Sequence, residues 1–422
     1  MDTQSRIRIN LREVVAAIET TVSLVGMDDT NHGKRVAYIA CQLGHALGFS
    51  QSDVDFLYDF GMLHDIGVST EAEHRNLVAN FDWGESGLHC EVGYQLLQGF
   101  HPLAHLALPV LYHHTAWVEL ERMNVRPREA LMANLVYLAD RIDVLSAEHY
   151  GDDILIARHQ VAELIQLKSG SYFKPEYVEV FKRVAQSESF WLALESRHIC
   201  RYTWDMNRVT IHSTLTIGQL KQLAMIIAYI VDQKSKFTAQ HSIKVAEVAR
   251  FLAELFGMTE TQCDKIEIAG LLHDIGKLHT PDAILNKPGP LDEHERAVMN
   301  QHSFETYEIL RHISGIEDIA MWAAFHHEGV NGHGYPFHPT ELELSTEARI
   351  VAVADVFQAL VQDRPYRRRM QPQEIRKLLL QKAEAGSLDA SIVRLALSNM
   401  DHCYNVALGA ADASGQYDIS FA

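Results

Sequence analysis

The sequence predicts an all-α protein built as two tandem helical bundles. Three observations carry this: apolar residues recur at helical spacing through most of the chain, strand signals are rare, and one pattern of histidines and aspartates occurs twice in register. A chain of 422 residues also exceeds one ordinary core, which agrees with two domains.

The helical spacing is clear at Val245, Val248, Ala249 and Leu252, which fill positions i, i+3, i+4 and i+7 of one face. The repeat is clearer still. His32 pairs with His241 and His64-Asp65 with His273-Asp274 at one constant offset. His89 then pairs with His302, His113-His114 with His326-His327, and Asp140 with Asp355, the offset drifting by only a few residues. The surroundings match too, "RVAYIACQLGHALG" against "KVAEVARFLAELFG" and "GMLHDIG" against "GLLHDIG". Even the helix ahead of the first histidine recurs, with Leu11, Ile18 and Val22 opposite Leu220, Ile227 and Val231. The predicted domains are 1–205 and 206–422, with the seam in "CRYTWDMNRVTIHSTLT", where β-branched residues collect.

Composition excludes some classes. Lys and Arg number 37 against 55 Asp and Glu, a formal charge of −18. That argues against long nucleic acid, which is held by neutralising many phosphates, and leaves room for a small anionic ligand on a local basic patch. The five cysteines form no CxxC pair, so neither a disulfide framework nor a thiolate zinc site is indicated and a reducing cytoplasm is expected. "LAMIIAYIV" falls far short of the ~20 apolar residues that span a bilayer, so no membrane partner is expected. The oligomeric state stays open, a homodimer included.

The repeated residues carry the chemistry. The second copy offers His241, His273, Asp274, His302, His326, His327 and Asp355. Imidazole with carboxylate and no thiolate suits Fe, Mn or Zn. So many donors exceed one four-coordinate ion and fit two ions roughly 3.5 to 4 Å apart. Metal coordination would also explain why "GLLHDIGKL" sets ionisable groups in an apolar helical stripe, since it replaces their lost hydration. Lys277 follows Asp274 by three residues and so shares its face. An ammonium there calls for an anion between it and the ions, and phosphate fits.

Each feature taken singly has a plainer reading. A lone His-Asp pair is ordinary core, Lys277 a solvated lysine, the glycine-rich "HHEGVNGHGYP" a turn, and the arginines of "DRPYRRRM" a solvated face. A donor set repeated in register is what sets that reading aside.

From His241 to about Arg367 the chain resembles the HD-GYP family of cyclic dinucleotide phosphodiesterases, through "HSIKVA", "GLLHDIGKL", "ILNKPGPL", "HSFETYEIL", "HHEGVNGHGYP", "ARIVAVADVFQAL" and "DRPYR". The resemblance implies two HD-domain bundles and a dinuclear centre. In it His241, His273, Asp274 and Asp355 hold one metal, and Asp274 bridges to a second held by His302, His326 and His327. It also implies that Lys277 and Arg364 meet phosphate and that Gly334, Tyr335 and Pro336 shape the pocket, while Arg367 in the same arginine-rich stretch is a further substrate-binding candidate. Phe237 stands where some members carry a third-metal glutamate, which favours two ions, Fe or Mn ahead of Zn or Ni. Gly329-Val330-Asn331 departs from the family pattern at expected substrate contacts.

The N-terminal half keeps a candidate second metal site in His32, His64, Asp65, His89, His113, His114 and Asp140, but Val68 replaces the lysine and nothing matches Gly-Tyr-Pro. It reads as a diverged regulatory or structural HD domain. The expected function is hydrolysis of 3′,3′-cGAMP or c-di-GMP to a linear dinucleotide, with Asp274 and Lys277 catalytic. Other HD-type chemistries, nucleotide phosphohydrolase or diiron oxygenase, and a non-hydrolytic sensor are the rivals.

Overall fold

The computed structural model describes residues 6–24, 31–68, 70, 73, 77, 87–208, 212–234, 241–362 and 368–409. Among the described residues it is all-α apart from one pair of short strands, as the periodicity requires. The chain falls into two compact units, Leu11–Ile211 and His212–Ala422, the second completed by Met1–Asn10. Strand β1 (Arg6–Asn10) runs antiparallel to β2 (His212–Thr216), with Ile7 opposite Leu215 and Asn10 opposite His212. A helix over Ser196–Asn207 covers the first part of the predicted seam, "CRYTWDMN".

In the N-terminal unit the helices that build the candidate site are α1 (Leu11–Ser23), α2 (His32–Ala46), α3 (Gln51–Leu63), α4 (Gly87–Gln98), α5 (Ala107–Tyr112) and α6 (Pro127–Ser146). The start of α3 is fixed by Ser50, whose hydroxyl accepts the Asp53 N–H at 3.2 Å. Helix α2 lies between α3 and α6, burying Val36, Ile39, Ala40 and Leu43.

The C-terminal unit repeats the plan with α7 (Ile217–Lys234), α8 (His241–Phe256), α9 (Glu260–Leu272), α10 (His302–Leu310), α11 (Glu317–Ala324) and α12 (Thr346–Val361). Thr259 and Gln262 form a capping box at the start of α9, and Ser345 caps α12. Here α8 lies against α9 and α12, and its Val245, Val248, Ala249 and Leu252 are fully buried, the face foreseen from their spacing. Among the described residues no helix is long and apolar enough to cross a membrane.

The stripe "GLLHDIGKL" is not one helix. Helix α9 stops at Leu272, His273 caps it, and a 3-10 turn runs from Ile275 to His279. Gly276 makes this turn possible, because a Cβ there would stand 2.0 Å from the His302 carbonyl oxygen; Gly67 meets His89 identically in the first half. Close backbone approach thus docks the first turn of α10 against the turn that follows the His-Asp pair. Gly276→Ala should cost about 3 kcal/mol and displace His302, so thermal unfolding shifts down and bound metal falls together. An unchanged melting temperature would contradict this packing.

Candidate metal centre

All but one of the candidate donors of the C-terminal half sit at or just past the end of a helix. His241 opens α8, His273 and Asp274 follow α9, His302 opens α10, and His326 and His327 follow α11. Asp355 projects from within α12. The structure brings them together: His302, His326 and His327 form one group, and His241, His273 and Asp355 another, the donor atoms within each lying inside 4.8 Å.

Asp274 stands between the two groups. Its Oδ1 faces His302 Nε2 at 3.6 Å and His326 Nε2 at 3.8 Å, while its Oδ2 faces His273 Nε2 at 3.2 Å and His241 Nε2 at 3.7 Å. Lys277 Nζ pairs with the same Oδ2 at 2.5 Å. The lysine therefore meets the carboxylate directly.

Local backbone sets the imidazole tautomers. The Nδ1 of His273, His302 and His326 each lie 2.7 Å from a carbonyl three residues earlier, on Gly270, Met299 and Ala323. An Nδ1–H donated there leaves the Nε2 lone pair turned inward. His302 Nε2 and His326 Nε2 stand only 3.2 Å apart. Two inward lone pairs this close suit a shared cation. His273 Nε2 and Asp274 Oδ1 are buried without a hydrogen-bond partner, the signature of donors shaped for an ion. The donor set thus fits divalent metal.

Electrostatics agree. Burial pushes His302 down to about 3, helped by His327, and His327 itself down to about 4. Burial would raise Asp274, but His273 and Lys277 hold it well below the usual carboxylate range. Most of the imidazoles are thereby neutral and the aspartate ionised at neutral pH, the forms that ligate metal. His273 is the exception, raised by Asp274 against the effect of burial.

The Gly-Tyr-Pro segment folds back over this centre. The Tyr335 ring lies on His327 with centroids 4.9 Å apart, and the Tyr335-Pro336 peptide is cis. Gly334 is required by contact, since a Cβ would come 2.4 Å from the Glu328 Cα. Glu328 was not foreseen. It is buried, and its Oε1 accepts the N–H groups of Phe337 at 2.6 Å and His338 at 3.2 Å. Its signal was its place directly after two ligands in a glycine-rich loop, whose backbone donors need an acceptor. Asn331 is spent on tethering, its Nδ2 donating to the Ala385 carbonyl at 2.8 Å and its N–H to Gly386 at 3.0 Å. Arg364, Arg367 and Phe237 lie outside the described residues.

Glu328→Gln keeps the volume but weakens the acceptor. It should raise KM about tenfold with metal content unchanged; loss of metal instead would place Glu328 in the metal site.

The N-terminal half assembles its seven residues in the same way. Asp65 Oδ1 faces His89 Nε2 and His113 Nε2 at 3.3 and 3.5 Å, and its Oδ2 faces His64 Nε2 and His32 Nε2 at 3.4 and 3.8 Å. His114 joins Asp65, His89 and His113, and Asp140 joins His32 and His64. Sequence reasoning passed over Arg141, whose guanidinium forks onto Asp140 at 3.0 and 3.1 Å. The clue was a charged run, Asp140-Arg141 then Asp143, in an otherwise apolar helix.

Known proteins resemble this chain. The HD domain family matches residues 30–147 and again residues 224–392. The 3'3'-cGAMP-specific phosphodiesterase 1 of Vibrio cholerae is 35% identical over 405 residues, 95% of this chain and 94% of that one. The cyclic di-GMP phosphodiesterase response regulator RpfG of Xanthomonas campestris is 37% identical over 178 residues, 42% of this chain and 44% of that one. A crystal structure of a V. cholerae cyclic GMP-AMP specific phosphodiesterase superposes over 93% of this chain and 98% of its own, with a TM-score of 0.65 at 23% identity, a likeness of fold. The class that this fold and these donor sets define is the HD proteins, which bind divalent metals. Within that class the chain belongs to the HD-GYP family of cyclic dinucleotide phosphodiesterases with tandem HD domains.

Proposed function

We propose that the C-terminal domain hydrolyses a cyclic dinucleotide, 3′,3′-cGAMP or c-di-GMP, to its linear dinucleotide. The observation that carries this is the Asp274 carboxylate, whose two oxygens face two separate imidazole groups while Lys277 sits on one of them. That geometry supports two divalent ions, Fe or Mn, with Asp274 shared. Bound there, such ions activate water and polarise the phosphoryl oxygens.

The chain's own groups do the rest. His241, His273 and Asp355 define one side of the centre and His302, His326 and His327 the other. Lys277 neutralises negative charge growing on a non-bridging phosphoryl oxygen. Gly334, Tyr335 and Pro336, braced by Glu328, wall the pocket beside His327, and Arg364 and Arg367 are assigned to phosphate contact. One water adds across one P–O3′ bond, with the 3′-oxygen leaving in line, so a linear dinucleotide results. The N-terminal domain serves a regulatory or structural role, and five free cysteines fit a reducing cytoplasm.

The test is chromatography of products after incubating the full chain, loaded with Mn or anaerobically with Fe, with equal amounts of c-di-GMP and 3′,3′-cGAMP. Linear product from either supports the reading and ranks the substrates. Survival of both under both metals overturns it in favour of a sensor.

A further inference from the structure

The two halves share a donor pattern but differ in which donors are already engaged. In the N-terminal half Asp140 is buried and gripped by Arg141, Nε to Oδ2 at 3.0 Å and the second guanidinium nitrogen to Oδ1 at 3.1 Å. Arg141 is buried too, and also donates to the Leu77 carbonyl. His32 is likewise held from behind, its Nδ1 2.8 Å from Asp143 Oδ2, and Asp143 is itself fixed by Arg35 and by the Tyr150 hydroxyl, each at 2.6 Å. The C-terminal half has Val356 in place of Arg141, and Asp355 meets His241 at 3.5 Å and His273 at 3.8 Å. A guanidinium thus already supplies Asp140 with the positive charge that an ion would bring.

The opposite side is closely shaped, with the Cys90 Sγ 3.7 Å from His89 Nε2 and 3.5 Å from His113 Nδ1. With Val68 in place of Lys277, no ammonium from that position competes for Asp65. Zinc held by four donors at about 2.0–2.1 Å in a tetrahedron sets those donors about 3.3–3.4 Å apart. The observed edges are 3.2 Å between His89 Nε2 and His113 Nε2, 3.3 Å from Asp65 Oδ1 to His89, and 3.5 Å from Asp65 Oδ1 to His113, with His114 completing the group. The His113 Nδ1 lies 2.7 Å from the Val110 carbonyl, which turns its Nε2 lone pair inward, and Asp65 Oδ1 has no hydrogen-bond partner. His89 and His113 are fully buried, while Asp65 and His114 are partly exposed.

We infer that the N-terminal domain holds a single four-coordinate zinc-type ion on Asp65, His89, His113 and His114, while the Arg141 guanidinium neutralises Asp140. The ion clamps the end of α3 to α4 and to the end of α5. It has no exchangeable position for substrate and no neighbouring lysine, so it fastens the domain and does no hydrolysis. The inference stands independently of the reaction at the C-terminal centre.

The test uses the full chain with the C-terminal centre disabled by His302→Asn and His326→Asn, loaded with zinc, dialysed and measured by elemental analysis. One zinc per chain is expected, falling to none when His89→Asn is added. Cobalt should replace it with the intense visible bands of tetrahedral coordination, absent in His89→Asn. A folded double variant, checked by circular dichroism, that retains no zinc or two, or cobalt bands of six-coordinate weakness, overturns the inference. Should the double variant not fold, the cobalt difference spectrum between the otherwise unaltered chain and His89→Asn gives the same decision.

Discussion

Asp274→Asn lowers turnover of the cyclic dinucleotide by about 10³-fold and lowers bound metal in the same preparation. The carboxylate is placed so that each oxygen serves a different imidazole group, at 3.6 and 3.8 Å on one side and 3.2 and 3.7 Å on the other. An amide of equal size keeps one oxygen and replaces the other with an NH2 that has hydrogens where a lone pair was required. The negative charge held there by His273 and Lys277 is lost as well. Either loss alone would loosen one side of the centre; together they undo both. The measurement is kcat with metal content and melting temperature on one sample. Wild-type turnover with metal supplied would sink the mechanism.

Lys277→Met lowers kcat by about 10²- to 10³-fold and leaves the metal content where it was. Lys277 is not a ligand; it touches Asp274 from outside the imidazole groups, on a side chain about one-fifth exposed. Its ammonium can therefore meet a phosphoryl oxygen without displacing any donor. Because charge on that oxygen grows on the way to the transition state, the loss appears in kcat more than in KM. Lys277→Arg should recover part of the rate, since charge is kept and shape is not. If Lys277→Met lost its metal instead, the lysine would be a brace for Asp274 and the phosphate role would be withdrawn. The N-terminal half carries the apolar form of this substitution in Val68.

Much of the site was legible because it is written twice. Duplicated spacing picked out fourteen residues, and the structure gathers each set of seven into adjoining clusters that include Asp65 or Asp274. What sequence periodicity missed has a physical cause in each case. The apolar stripe around His273 reads as continuous helix, yet backbone contact at Gly276 imposes a 3-10 turn, and contact of that kind leaves no periodic trace. Glu328 and Arg141 act on neighbours brought close only by folding, so their roles appear as charges out of place in apolar or glycine-rich runs. The pairing of "RIRIN" with "HSTLT" joins segments about two hundred residues apart, and no local signal announces a partner so remote.

That pairing makes the N-terminal domain a topological insertion. Asn10 and His212 are partners in register, so the chain leaves the strand pair at Asn10 and returns to it directly opposite. Bridging such a pair needs no more than a two-residue hairpin turn such as Asn-Gly. Excising Leu11–Ile211 and closing the gap with that turn would preserve β1, whereas cutting the chain ahead of β2 would strip the strand of its partner and leave an open edge for aggregation. The C-terminal unit is therefore best isolated as a spliced chain, its first ten residues retained, and not as a simple C-terminal fragment.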